Sequence, residues 1–105
     1  MMLVLLLAMA GAPSASSINA PRRALSQCLK AFETDSLAKK VPAADYLAGA
    51  KASCAAEATT LKNALIAFDV AMGTKRASAI SNAQTDLDDY YATSNDRYQG
   101  DAPSH

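Results

Sequence analysis

The sequence predicts an all-α fold: a small antiparallel three-helix bundle with a long central helix, cross-linked by one disulfide and preceded by an N-terminal signal peptide. Apolar residues recur at spacings of three and four from residue 21 onward, and no stretch of four or more residues alternates like a strand. The chain of 105 residues is long enough for one domain, and alanine supplies much of its hydrophobic content. We therefore expect a thin core, which a covalent cross-link would help to stabilise.

Residues 1–17 are interpreted as a secretory signal peptide. The run MMLVLLLAMAGA is apolar over about ten residues, which suits a signal and is shorter than the ~20 residues that span a bilayer. Small residues favour cleavage after Ser16 or Ser17. No Lys or Arg precedes the run, so the signal is weak or the true start lies upstream; the alternative is a buried N-terminal helix. Export predicts a bacterial periplasmic or secreted location, with no stable membrane anchor after cleavage.

Three helices are predicted in the remaining domain, residues 18–99. The first begins near Pro21, a favourable first helical position, and ends near Lys40, because Val41 precedes a proline and is biased away from helical angles. The second covers residues 42–72 and is followed by Gly73, which can adopt a left-handed conformation. Heptad spacing marks its apolar stripe, which comprises Leu47, Cys54, Leu61 and Phe68.

The third helix is predicted over residues 75–98. Its apolar face comprises Ile80, Ala83, Leu87, Tyr90 or Tyr91, and Tyr98. The final residues, 100–105, are expected to form a disordered tail.

The two cysteines, Cys28 and Cys54, are predicted to form a disulfide. Each lies thirteen residues from the turn at Val41, so both reach about 20 Å from it when the first helix folds back on the second. Alanines neighbour both cysteines and would allow the close approach of backbones that a disulfide needs. Export would also favour the disulfide, because compartments outside the cytoplasm are oxidising. The alternatives are two buried free thiols or a redox pair, although the sequence has no CxxC motif.

Composition argues against several classes of function. The ten basic and ten acidic side chains give zero net charge, so the protein has no overall positive potential that would attract nucleic acid. The only histidine is His105, the last residue, which argues against most catalytic triads and the usual zinc sites. We therefore expect a protein that is not an enzyme and that uses no metal and no cofactor.

A candidate interaction surface is predicted at Ile66 and Val70. The first helix can cover only the first half of the second, up to about residue 60, which leaves a two-helix hairpin beyond it. Ile66 and Val70 lie one turn apart and point away from the third helix, so they are expected to lack cover. This surface would bind a second copy, giving a homodimer, or another exported protein. The alternative is two ordinary exposed apolar residues.

A second candidate site is the end of the bundle that carries Asp86, Asp89, Tyr91 and Tyr98. Asp86 and Asp89 are three residues apart and share one helix face. Two carboxylates are too few to bind a cation such as Ca²⁺. The favoured interpretation is therefore an acidic helix face exposed to solvent. The tyrosines would either stack on a ligand or close the end of the bundle, with their hydroxyls at the surface.

The layout resembles a group of small, uncharacterised exported proteins of alphaproteobacteria. The residues that carry the resemblance are Cys28, Cys54, Asp86, Asp89 and the NDRY stretch of Asn95 to Tyr98. It implies export and a cross-linked helical fold, and it brings no activity. The leading hypothesis is an exported helical protein that acts by protein–protein contact or self-association. The alternatives are a small-ligand or metal binder that uses the Tyr/Asp-rich end, and an enzyme accessory protein or inhibitor.

Overall fold

The protein is described from a computed structural model, which defines residues 16–102. Four helices make up this part of the chain: α1 (Ser16–Ala38), α2 (Ala43–Ser53), α3 (Ala55–Ala71) and α4 (Arg76–Asp101). No strand occurs between residues 16 and 102, so the predicted all-α class is confirmed. No helix in this range combines the length and the apolar character needed to cross a membrane.

The segment predicted as one central helix is interrupted at Cys54. This residue has φ −107° and ψ 19°, outside the helical region, and therefore separates α2 from α3. The interruption is short, because the Cys54 N–H still donates to the Ala50 carbonyl (3.0 Å) and its carbonyl still accepts from the Ala58 N–H (2.9 Å). The prediction of a single helix over residues 42–72 is wrong, and four helices replace the expected three.

Helix α1 begins earlier than predicted. It starts at Ser16, so Pro21 lies inside the helix rather than at its first position. An internal proline removes one backbone hydrogen bond. Burial of Ile18, which is 7% exposed and packs into the core, offsets that loss. Residues 1–15 of the predicted signal peptide lie outside the described part of the chain.

Helix α4 extends to Asp101, three residues past its predicted end. The Gln99 side chain explains the extension, because its Nε2 donates to the Ala43 carbonyl (2.9 Å) and ties the last turns of α4 to the start of α2. Gly100 and Asp101 therefore belong to the helix and not to the predicted tail, whereas residues 103–105 of that tail lie outside the described residues.

Left-handed residues form two of the turns. Lys40, with φ 57°, lies between α1 and α2, and the following Val41 N–H donates to the Ser36 carbonyl at 3.0 Å. Gly73, with φ 98°, follows α3 as predicted, because only glycine adopts this conformation without steric cost.

The core lies where all four helices meet. Its fully or nearly fully buried large side chains are Leu25, Leu29, Tyr46, Leu61, Leu87 and Tyr98. A smaller cluster of Ile66, Ala79 and Ala83 joins α3 to α4 near their turn. Arg22 of α1 contacts Asp86 of α4, and the later residue Glu33 contacts the later residue Arg97. The residue numbers thus increase in the same direction along both helices, so α1 and α4 run parallel.

Candidate functional site

The predicted disulfide between Cys28 and Cys54 is present. The sulfur atoms are 2.08 Å apart and the Cα atoms 5.9 Å apart. That Cα distance lies within the range of about 4.4–6.8 Å that is usual for disulfides. Ala50 and Ala58, one turn to either side of Cys54, are buried. The alanines around Cys28 differ, because Ala24 and Ala31 are exposed.

The predicted interaction surface does not form as expected. Ile66 is only 8% exposed, because the small side chains of Ala79 and Ala83 let α4 approach and cover it. Val70 is 40% exposed, and the other large apolar side chains exposed in the described chain are Met72 (70%) and Ile80 (40%). We name Val70, Met72 and Ile80 the hairpin end, since they lie shortly before and after the turn between α3 and α4.

The predicted ligand end is not one site. Tyr98 is 1% exposed; its ring stacks on Tyr46 at 4.1 Å, and its hydroxyl donates to the Val41 carbonyl at 2.6 Å. It therefore presents no surface to a ligand. Tyr91 is also buried, with the Lys51 ammonium 5.8 Å from its ring centre. Burial raises the pKa of Tyr91, and the nearby Glu57 carboxylate raises it further.

The two aspartates of that predicted site instead line a groove between α1 and α4, with a volume of about 390 Å³. We name it the α1–α4 groove. Its sides include Arg22, Ser26 and Lys30 on α1 and Asp86, Asp89 and Thr93 on α4.

Arg22 lies at one end of the groove. Its Nη2 pairs with the Asp86 carboxylate at 3.1 Å, and its Nη1 donates to the Tyr90 hydroxyl at 3.0 Å. The Tyr90 hydrogen bond is the main reason that the pKa of Arg22 is raised. Arg22 is thus held in place by two residues of α4.

At the other end Arg97 lines the groove and pairs with Glu33. Arg97 donates from Nε to Glu33 Oε1 (3.1 Å) and from Nη2 to Oε2 (2.7 Å), a two-point contact that fixes both side chains. Ser94 Oγ also donates to Glu33 Oε2 (2.8 Å). The Tyr46 hydroxyl lies 2.6 Å from Ser94 Oγ. Because the Ser94 proton is directed to the carboxylate, Tyr46 donates to Ser94.

This Tyr46–Ser94–Glu33–Arg97 network was not predicted from the sequence. Arg97 falls within the NDRY stretch, but its partner lies 64 residues away, and only the register of α1 against α4 brings them together. The pKa values of three groups in this network are shifted, and that of Arg97 is raised mainly by its hydrogen bonds to Glu33. Burial raises the pKa of Glu33, but the hydrogen bonds from Arg97 and Ser94 outweigh burial and the net pKa is lowered. Burial raises the pKa of Tyr46.

We expect Glu33 to make the free energy of unfolding decrease as the pH becomes acidic. Since its pKa is lowered by folding, its contribution is present above its unfolded pKa, about 4.5, and is lost as the pH falls through the folded value. Urea unfolding from about pH 3 to pH 7 should show Glu33→Gln less stable than the native chain at neutral pH, with the gap narrowing in acid. Asp96→Asn, an exposed carboxylate of α4, is the control. A gap that is constant with pH would contradict this role for Glu33.

Two charged side chains in the α1–α4 groove have no partner in the described structure. The side chains of Lys30 and Asp89 are exposed, line the groove, and make no hydrogen bond or ion pair in the described structure, although the Lys30 ammonium acts through space on Glu33 and helps to lower its pKa. Leu29 lies beneath the groove between its charged ends and is almost fully buried, at 2% exposed. No group of three or more His, Cys, Asp or Glu residues in the range 16–102 could hold a metal ion. The groove is therefore suited to reversible binding of a polar molecule.

Comparison with known proteins gives no match, whether to a protein family, to a curated protein or to a solved structure.

Proposed function

We propose that this is an exported, non-enzymatic helical protein that acts by protein–protein contact, with a second copy of the chain as its partner. The disulfide and the resemblance of the two-cysteine layout to small exported alphaproteobacterial proteins support a periplasmic or secreted location. The observation that supports the contact is the hairpin end, where Val70, Met72 and Ile80 remain exposed near the turn between α3 and α4.

The charges around the hairpin end favour a second copy as the occupant. Asp69 precedes the turn, and Lys75 and Arg76 follow it. In a two-fold dimer each residue of the patch meets another residue of the same patch. A surface that carries both signs of charge beside apolar side chains can thus complement itself, with Asp69 of one copy near Arg76 of the other.

We expect a weak, reversible dimer, because three exposed apolar side chains provide far less contact than a stable interface. Sedimentation of the purified protein should show a mass that rises with concentration, with a dissociation constant above roughly 10 µM. Met72→Ser should shift the rise to at least severalfold higher concentration, because Met72 is the most exposed of the three.

Ala92→Ser, on an exposed part of α4 far from the turn, is the matched control and should leave association unchanged. If the native protein stays monomeric up to about 1 mM, or if Met72→Ser associates as well as the native chain, self-association through the hairpin end is ruled out.

A second candidate function is binding of a small molecule in the α1–α4 groove. The specific observation in its favour is the pair of unpartnered charges, Lys30 and Asp89, on a surface that is otherwise organised by two interhelical ion pairs. Its volume falls within the usual range for ligand sites, ~300–1,000 Å³.

A further inference from the structure

The helical chain is interrupted between α2 and α3 at a single residue, and the local sequence does not explain why. Cys54 has φ −107° and ψ 19°, whereas the residues on both sides of it belong to helices. Breaks in helices usually arise at proline or glycine, and neither occurs between residues 50 and 58. Alanine, the strongest helix former, occupies five of those nine positions. The cause of the interruption therefore lies outside the local sequence.

Packing in the core does not explain the interruption either. The buried residues of α2 and α3 follow one another at spacings of four, four, four and three positions, and comprise Tyr46, Ala50, Cys54, Ala58 and Leu61. This spacing is that of one apolar stripe on a continuous helix. The backbone is close to helical as well, since the Cys54 N–H donates to the Ala50 carbonyl at 3.0 Å. A single helix over residues 43–71 could thus bury the same side chains.

What distinguishes Cys54 from its neighbours is a covalent bond to α1. The disulfide with Cys28 ties Cys54, which is fully buried, to a neighbouring helix at a Cα–Cα distance of 5.9 Å. Two sulfur atoms that are no longer bonded have to separate to van der Waals contact, so the two side chains cannot keep their positions after reduction. Loss of the bond thus removes the one constraint that acts on Cys54 alone.

The disulfide is open to exchange from the Cys28 side. Cys28 is only partly buried, and the exposed alanines Ala24 and Ala31 flank it, whereas Cys54 is 0% exposed. The thiolate of a dithiol can therefore attack Cys28 Sγ; the S–S bond breaks, and Cys54 leaves as a thiolate that takes up a proton. The second thiol of the dithiol then displaces Cys28 and closes the reagent's own disulfide. The protein gains two electrons and two protons, and the dithiol is oxidised.

We propose that the disulfide is a redox switch of helix continuity: a dithiol reduces Cys28–Cys54, and α2 and α3 then join into one helix over residues 43–71. Exchange with a disulfide reagent reverses the step and restores the interruption. Both states are folded, because the buried stripe is common to both and the released Cys54 thiol stays within it as a small apolar side chain. The switch goes beyond self-association at the hairpin end and does not depend on it.

NMR of the purified protein, with dithiothreitol as the dithiol, tests this switch. In the oxidised protein the three-bond coupling between the amide and α protons of Cys54 should be large, because its φ is −107°. Reduction should lower that coupling to the small helical value and move the Cα signals of residues 53–55 to helical shifts. Oxidised glutathione should reverse both changes. Cys28→Ala removes only the cross-link and keeps Cys54, so it should show the helical values without reductant and should not respond to it.

Two controls match these changes. Ala24→Ser leaves the disulfide in place beside an altered surface and should behave like the native protein, with Cys54 non-helical until the reductant is added. The left-handed turn residues Lys40 and Gly73 lie twelve or more positions from either cysteine along the chain, and their signals should stay the same in all of these samples.

Three results would overturn the switch. A Cys54 coupling that stays large in the reduced protein or in Cys28→Ala would show that packing sets the interruption. Random-coil signals after reduction of the native protein would show that no second folded state exists. Resistance of the native disulfide to dithiothreitol would show that the cross-link is closed to exchange in the folded chain.

Discussion

Replacing both cysteines, Cys28→Ala with Cys54→Ala, is expected to lower the free energy of unfolding by about 3–4 kcal/mol. The disulfide joins residues 26 positions apart and so restricts the unfolded chain, and the chain-entropy model assigns roughly 3.5 kcal/mol to a loop of this length. Small domains are stable by only about 5–15 kcal/mol, so the loss is a large share of the total.

Urea unfolding with and without a reducing agent measures this effect. The native protein should unfold at a lower urea concentration once it is reduced, whereas the double alanine variant should not respond to the reductant. Replacing the exposed Ala24 and Ala31 by serine, beside Cys28, tests whether nearby surface changes alone matter. A reduced protein as stable as the oxidised one would show that the helices hold their register without the cross-link.

The cysteine pairing could be predicted because it depends on simple geometry. Cys28 and Cys54 lie at equal distances from the turn, and helical rise per residue is constant, so antiparallel folding brings them together. The interruption at Cys54 could not be predicted in this way. Three of the four residues around it are alanines, which favour helix, so local propensity gives no sign of its non-helical dihedral angles.

Within the candidate site, the sequence predicts residue positions only where spacing along one helix determines which side chains share a face. The three-residue spacing of Asp86 and Asp89 indicated a shared face, and both line the groove. The exposure of Ile66 was mispredicted, because it depends on how closely α4 approaches, and two alanines of α4 decide that. Hydrophobic pattern alone gives little weight to alanine, although its small size controls the distance between helices.

The burial of the tyrosines also could not be predicted from spacing along one helix. Tyr91 and Tyr98 are seven residues apart and share a helix face, as their spacing indicates, but that face is the core and not the surface. The deciding contact is with Tyr46 of α2, which stacks on Tyr98 at an interplanar angle of 8°. Nothing in the local sequence around Tyr46 specifies this partner.

Tyr46→Ala should have the other large effect, a loss of about 3–5 kcal/mol, as for other large aromatic truncations in cores. Tyr46 is fully buried, its ring contacts Tyr98 and also Phe32 (5.4 Å between centres), and its hydroxyl reaches Ser94. Tyr46→Phe is the matched variant, because it keeps the ring and removes only the hydroxyl.

Comparison of the two variants separates packing from hydrogen bonding. Tyr46→Phe should lose only about 1–2 kcal/mol, because the Ser94 hydroxyl still donates to Glu33 and is not left without a partner. Urea unfolding of both variants measures the difference. If Tyr46→Phe were as destabilising as Tyr46→Ala, the hydroxyl network at the end of the α1–α4 groove, and not the aromatic stack, would hold α2 against α4.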